Sequence, residues 1–227
     1  MPFVIAPPPQ VVVPVSGSAD LFPVRRVYCV GRNYADHARE MGHDPDREPP
    51  FFFQKSPDNI VTNGRFPFPP LSQDVQFEIE MAVALKAGGQ SLEPARALDC
   101  VFGYAVALDM TRRDLQASAK KQGRPWDVAK AFEASAPCSS ITPAAVCGHP
   151  ARGAITLDVN GERRQTGDLS QMIWDVPSLI ANLSTLFDLA PGDLILTGTP
   201  AGVGAVRRGD RLHGVVEGVG SLDVVVV

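Results

Sequence analysis

Prolines and glycines punctuate this chain too densely for long helices: 21 of one and 20 of the other fall within 227 residues. Proline fixes φ and lacks the N–H that a helix interior or a central strand needs, while glycine favours turns. What remains between them is short, so short strands joined by turns are expected. Residues 1–23, with Pro7, Pro8 and Pro9, read as an extended Pro/Val-rich segment whose stretch 11–15 (VVVPV) is an edge strand. Residues 24–31 (VRRVYCVG), 51–54 (FFFQ), 75–86 (VQFEIEMAVALK), 101–110 (VFGYAVALDM), 193–197, 211–216 and 221–227 read as strands. Residues 154–160 and 162–166 flank Asn160-Gly161, a strong hairpin signal. Helical composition is confined to 33–41 with Gly42 as its stop signal, 111–122 with Thr111 as N-cap and Asp114 at the capping-box position, and 176–187. Residues 43–50 read as a loop. Strands outnumber helices without alternating with them, so the expected fold is α+β: a strand-rich mixed β roll with a few short helices, one domain over residues 24–227.

The net charge of −4 and pI of about 5.6 offer no surface for a polyanion, so nucleic acid is excluded as a partner. No run of about 18 apolar residues exists to span a membrane. The opening MPFVIAPPPQVVVPV has neither a charged n-region nor an unbroken apolar stretch, so no export signal is read and a cytoplasmic location is expected. Cys29, Cys100, Cys138 and Cys147 are scattered without a CxxC pair, as reduced thiols would be.

The apolar stretch VQFEIEMAVALK holds Glu78 and Glu80 at its middle. Residues two apart on a strand share a face, so these carboxylates repel. Either that face meets solvent or a divalent cation cancels the repulsion, and oxygen-only donors select a hard ion. The face continues with Ala82 and Ala84, which do not seek water. Asp109, ending AVALDM, is either a helix-start residue or a third carboxylate for such an ion. His37 and Glu40, three apart in a helical segment, form either a surface pair or a dyad in which the carboxylate raises imidazole basicity. Lys130 in VAKAF either snorkels from a strand end or meets an anion. The turn TGTPAGVG, 197–204, offers N–H groups and hydroxyls to an anion but lacks the P-loop pattern. His43, His149 and His213 carry no assigned role.

Taken in order, GRNYADHAREMG, FEIE, LDMTRRDLQ, KKQGRPWDVAKAF, DLSQMIWDVPSLI and GDLILTGTPAGVG resemble the signature blocks of the fumarylacetoacetate hydrolase family, from about Val24 to the C-terminus. Among its members the chain is most similar to the short acylpyruvate hydrolases. PPFFFQKSPDNIV and the N-terminal segment resemble those acting on fumarylpyruvate in gentisate degradation. The resemblance implies a single catalytic domain, a homodimer, and a Mg2+ or Mn2+ ion, for which Ca2+ can substitute in a crystal. It maps metal ligands onto Glu78, Glu80 and Asp109, and a water-activating dyad onto His37 and Glu40, on a helix that closes over ligand. It maps charge stabilisation onto Lys130, and substrate binding onto Gln116, Thr199, Arg32 and Arg113. Arg112 stands where some relatives carry a small residue. The implied activity is metal-dependent cleavage of a carbon–carbon bond in a 2,4-dioxo acid, fumarylpyruvate giving fumarate and pyruvate. Arg32, Arg112 and Arg124 are alternatives for a distal carboxylate. Acylpyruvate hydrolysis and oxaloacetate decarboxylation are alternatives within the family; a non-catalytic metal- or ligand-binding module is one outside it.

Overall fold

A computed structural model describes residues 3–40 and 49–227. The Gly42 stop signal, His43 and most of the expected loop at 43–50 lie outside these residues. In chain order the elements that build the site and its support are β1 (Arg26–Gly31), α1 (Ala35–Glu40), β2 (Phe51–Lys55), β3 (Val75–Phe77), β4 (Ile79–Leu85), β5 (Val101–Leu108), α2 (Arg113–Gln122) and α3 (Asp127–Lys130). They are followed by β6 (Ala154–Val159), β7 (Glu162–Asp168), α4 (Val176–Leu186), β8 (Asp193–Leu196), β9 (Arg211–Val216) and β10 (Gly220–Val226).

Six strands form the main sheet in the order Thr142–Pro143, β5, β4, β8, β1, β2, antiparallel except between β8 and β1. A five-stranded sheet runs β7, β6, β9, β10, Arg65–Phe66, with only the last pair parallel. The β6–β7 hairpin turns at Asn160 and Gly161, both at positive φ (53° and 82°), the conformation that Asn-Gly favours. The strand-rich α+β architecture expected from the sequence is the one observed.

Alternation along the strands sorts the core into two layers. Ile79, Met81 and Val83 of β4 and Val106 and Leu108 of β5 join Ile155, Leu157, Leu212 and Val224 of the second sheet in one cluster. At Gly214 a Cβ would come within 2.5 Å of Ile79, so glycine is what lets the two sheets approach here. Helix α4 buries Val176, Leu179, Ile180 and Leu183, spaced i, i+3, i+4, i+7, into the same cluster. The side chain of Asp175 caps it by accepting from the Ser178 N–H at 2.9 Å. The opposite face of the main sheet is built of small residues, Ala82, Ala84, Ala105 and Ala107, beside Val27 and Cys29. Over it lie Val13, Val15 and Phe22 of an N-terminal hairpin, Val12–Pro14 paired with Leu21–Pro23. That second layer explains why the alanines that follow Glu80 are not solvent-facing.

Two local expectations are corrected. The stretch 75–86 is not one strand. β3 pairs with Thr111–Arg112 and Gly204–Ala205, the ladder breaks at Glu78, and β4 continues in the main sheet. Thr111 is not an N-cap: it pairs with Gln76 in a short strand, its hydroxyl donates to the Asp109 carbonyl at 3.1 Å, and α2 begins at Arg113 without a side-chain cap. Asp114 instead accepts from Ser72 Oγ and the Gln73 N–H, because tertiary pairing has claimed the residues before the helix. Among the described residues, no helix is long and apolar enough to cross a membrane.

Candidate metal centre and cavity

The break at Glu78 lets one chain segment deliver two carboxylates, and the end of β5 delivers the third. Glu78, Glu80 and Asp109 are all buried, and one oxygen from each lies within 4.8 Å of the others. The Asp109 N–H donates to the Glu78 carbonyl at 2.9 Å, which locks the two strand ends together. Lys130, at the end of α3 and only 2% exposed, donates to Glu78 Oε2 (2.9 Å) and Asp109 Oδ2 (2.7 Å). It therefore meets anions in the interior and does not snorkel from a strand end. Arg113 Nη2 donates to Glu78 Oε1.

The electrostatics of the three acids differ. Burial alone would push Glu78 up, but Lys130 and then Arg113 outweigh it and hold its carboxyl well below the usual range. Among the described residues, no lysine, arginine or histidine forms an ion pair with Glu80, whose Oε2 accepts from the Gly198 N–H at 2.7 Å. Burial, then repulsion from Asp109 and Glu78, push Glu80 well above the usual range. Burial opposes the charge on Lys130, but Asp109 and Glu78 more than restore it. Asp109 Oδ1 lies 2.8 Å from Lys55 Nζ yet has no hydrogen bond: charge contact is present, directional bonding is not. An under-bonded buried oxygen, an unpaired buried carboxylate and an all-oxygen donor set fit a hard divalent cation, which would cancel the repulsion that raises Glu80.

Glu78 and Glu80 line a cavity that also reaches His37, Lys130, Arg113, Gln116, Thr199 and Arg32. His37, 7% exposed on α1, has Nδ1 3.2 Å from Glu40 Oε2. Glu40 accepts weakly from the Gly202 N–H at 3.3 Å, so α1 is tied to the turn after β8. In that turn Gly198 takes φ +94°, and a Cβ there would meet Asn33 at 2.7 Å. Asn33 donates to Thr197 O (2.8 Å) and Trp174 O (2.9 Å). Arg113 donates to Gln116 Oε1 at 2.7 Å, so the two act as one wall. Arg32, at φ +60°, stacks over Phe51 at 5.1 Å. Asp109 lies beneath the cavity and Glu40 behind His37.

The other arginines raised for a distal carboxylate are not among the residues lining the cavity. Arg112 stacks over Phe132 at 4.4 Å and donates to the Val128 carbonyl; Arg124 is exposed to solvent. Sequence reasoning missed three residues. Lys55, fully buried, donates to Met110 O, Lys130 O and Ser135 Oγ and supports Asp109 from below. Its apolar neighbourhood, FFFQK, is a signal of the kind that singled out Lys130 in VAKAF. Gln165, also fully buried, accepts from the Ile79 N–H (3.0 Å) and donates to Thr199 Oγ1 and Pro200 O (both 2.8 Å). Lys120 lines the cavity one turn beyond Gln116. The stretch ERRQTGD carries no local signal for Gln165.

The sequence profile of the family described as Fumarylacetoacetate (FAA) hydrolase C-terminal matches residues 26–227. A crystal structure of fumarylpyruvate hydrolase from Pseudomonas aeruginosa in complex with Mn2+ and pyruvate superposes with a TM-score of 0.98 at 49% identity, covering 100% of this chain and 99% of that one. The fumarylpyruvate hydrolase of a Ralstonia species is 42% identical over 189 residues, 82% of this chain and 98% of its own length. The mitochondrial oxaloacetate tautomerase FAHD1 of Rattus norvegicus is 41% identical over 198 residues, 87% of this chain and 90% of its own. A profile match over nearly the whole chain, with relatives aligned almost end to end, leaves one conclusion: the chain belongs to the fumarylacetoacetate hydrolase family.

Proposed function

We propose that the protein is a metal-dependent hydrolase that cleaves the carbon–carbon bond of a 2,4-dioxo acid, with fumarylpyruvate giving fumarate and pyruvate. The observation that carries it is one cavity lined by Glu78, Glu80, His37 and Lys130, with Asp109 grouped with the two glutamates and Glu40 paired with His37. The Pseudomonas aeruginosa and Ralstonia relatives supply the substrate. Glu78, Glu80 and Asp109 would hold Mg2+ or Mn2+, which supplies Lewis acidity towards a 2-oxo acid. Glu40 holds His37 by Nδ1, so Nε2 is the nitrogen left to take a proton from water. The hydroxide adds to the C4 carbonyl and the C3–C4 bond breaks. The acyl group leaves as a carboxylate, and the pyruvate portion leaves as an enolate that is then protonated at C3. Lys130 stands beside the developing negative charge, where a fixed cation lowers the barrier most. Thr199 and the Arg113–Gln116 wall orient the substrate.

As part of the same proposal the enzyme is a cytoplasmic homodimer serving aromatic degradation. The similarity to an oxaloacetate tautomerase favours a second reading, in which the same centre handles oxaloacetate by tautomerisation or decarboxylation without an attacking water. Spectrophotometry decides between them: fumarylpyruvate, acetylpyruvate and oxaloacetate are offered with Mg2+, with Mn2+ and with EDTA. EDTA-sensitive loss of the conjugated fumarylpyruvate absorbance, with fumarate and pyruvate formed, is expected; consumption of oxaloacetate alone refutes hydrolysis.

A further inference from the structure

We propose that Lys120 is the specificity-determining cation of the cavity: it binds the carboxylate at the far end of the acyl group and so selects dicarboxylic over neutral acylpyruvates. This rests on the hydrolase reading above. Arg113, Gln116 and Lys120 stand at i, i+3 and i+7 on α2 and all three line the cavity, so they form one stripe down its wall. The first two sit at the metal end, Arg113 bonded to Glu78. Four residues of helix rise carry Lys120 about 6 Å further on, roughly the span of five carbon–carbon bonds in an extended chain. That is the separation between the 2-oxo carbon of fumarylpyruvate and its distal carboxylate carbon.

The surroundings of Lys120 are those of a cation awaiting an anion. Its Nζ lies 5.1 Å from the ring centre of Trp126, and Trp126 meets Phe51 edge to face at 5.3 Å. Phe51 in turn carries Arg32, so two cations and two aromatic rings rim the same mouth. Among the described residues no carboxylate forms an ion pair with Lys120, whereas its neighbour Lys121 is exposed to solvent. Partial burial, then Arg113 and Arg32, depress its pKa, with Glu78 opposing them in part. A substrate carboxylate placed among them relieves that repulsion; a methyl group in its place does not. Arg112 and Arg124 do not line the cavity.

The test is steady-state kinetics of the Mn2+-loaded enzyme on fumarylpyruvate and on acetylpyruvate, for wild type, Lys120→Met and Lys120→Arg, with thermal melts of each. A lost charge-assisted hydrogen bond predicts a fall of about 10- to 100-fold in kcat/KM for fumarylpyruvate in Lys120→Met, chiefly through KM. The fumarylpyruvate-to-acetylpyruvate preference should collapse, and Lys120→Arg should restore most of it. A parallel loss on both substrates, or no loss on either, overturns the proposal. Wild type that cleaves acetylpyruvate but not fumarylpyruvate overturns the distal-carboxylate role while hydrolysis stands. Wild type that cleaves neither overturns the hydrolase reading itself.

Discussion

Replacing Gln165 by leucine should cost far more than the loss of one polar side chain suggests. The residue has no solvent exposure and joins three segments: β7, on which it sits, the junction between Glu78 and Ile79, and the turn at Thr199 and Pro200. Leucine preserves bulk but leaves the Ile79 N–H and the Pro200 carbonyl buried without a partner, while the Thr199 hydroxyl can rotate. Each stranded group costs about 1–3 kcal/mol, so the total for the two is about 2 to 6 kcal/mol. In a chain of this size about 2–4 °C of melting temperature is lost per kcal/mol, which places the variant roughly 10 °C below wild type in EDTA. Activity should fall further than the small structural change implies, because Glu78 and Thr199 lose their shared anchor, and a displacement of about 1 Å costs on the order of 100-fold. Circular-dichroism melts and the fumarylpyruvate assay on the same preparations measure both. A Gln165→Leu protein melting within two degrees of wild type, with undiminished kcat, would show that this side chain bridges nothing of consequence.

His37→Ala should lose turnover by about 100- to 10,000-fold while Mn2+ still raises the melting temperature; loss of the metal-induced shift would mean that His37 belongs to the metal centre. Glu80 titrates above the usual carboxylate range, so between that range and its raised value the folded metal-free protein holds a proton the unfolded chain has lost. Stability from this group therefore falls as pH rises through that window. Glu80→Gln, which cannot titrate, should melt above wild type in EDTA at neutral pH, and Mn2+ should no longer stabilise it. By the same proton competition, Mn2+ affinity of the wild type should weaken as pH falls, with proton release seen by calorimetry in two buffers of different ionisation enthalpy; a pH-independent affinity would rule this out. Asp175→Ala removes the cap of α4 and should cost about 1 kcal/mol with kcat unaffected; a collapse of activity would place the helix closer to catalysis than its packing suggests.

Much of the site was legible because its residues violate their surroundings. Two glutamates in an apolar strand, an aspartate ending another and a lysine in VAKAF each cost energy to bury, so each announces a partner. The short-strand, turn-rich architecture followed from proline and glycine spacing, and the β6–β7 hairpin from Asn160-Gly161. Thr111 misled for a local reason: its composition suits an N-cap, but strand pairing with Gln76 took precedence. The break at Glu78 was hidden because Val75 to Leu85 alternates without interruption, and nothing local marks a change of sheet.

Which chemical groups are present and which short elements carry them can be read along the chain, since propensity and period are local properties. Which of those groups meet is a matter of the folded topology. Lys130 reaches Glu78 across 52 positions, and Gln165 reaches Ile79 across 86. It also turned Lys120 into the cavity while leaving Arg124 in solvent. No periodic pattern encodes such separations. They are set by the order of strands in the sheets and by the burial that fixes each face.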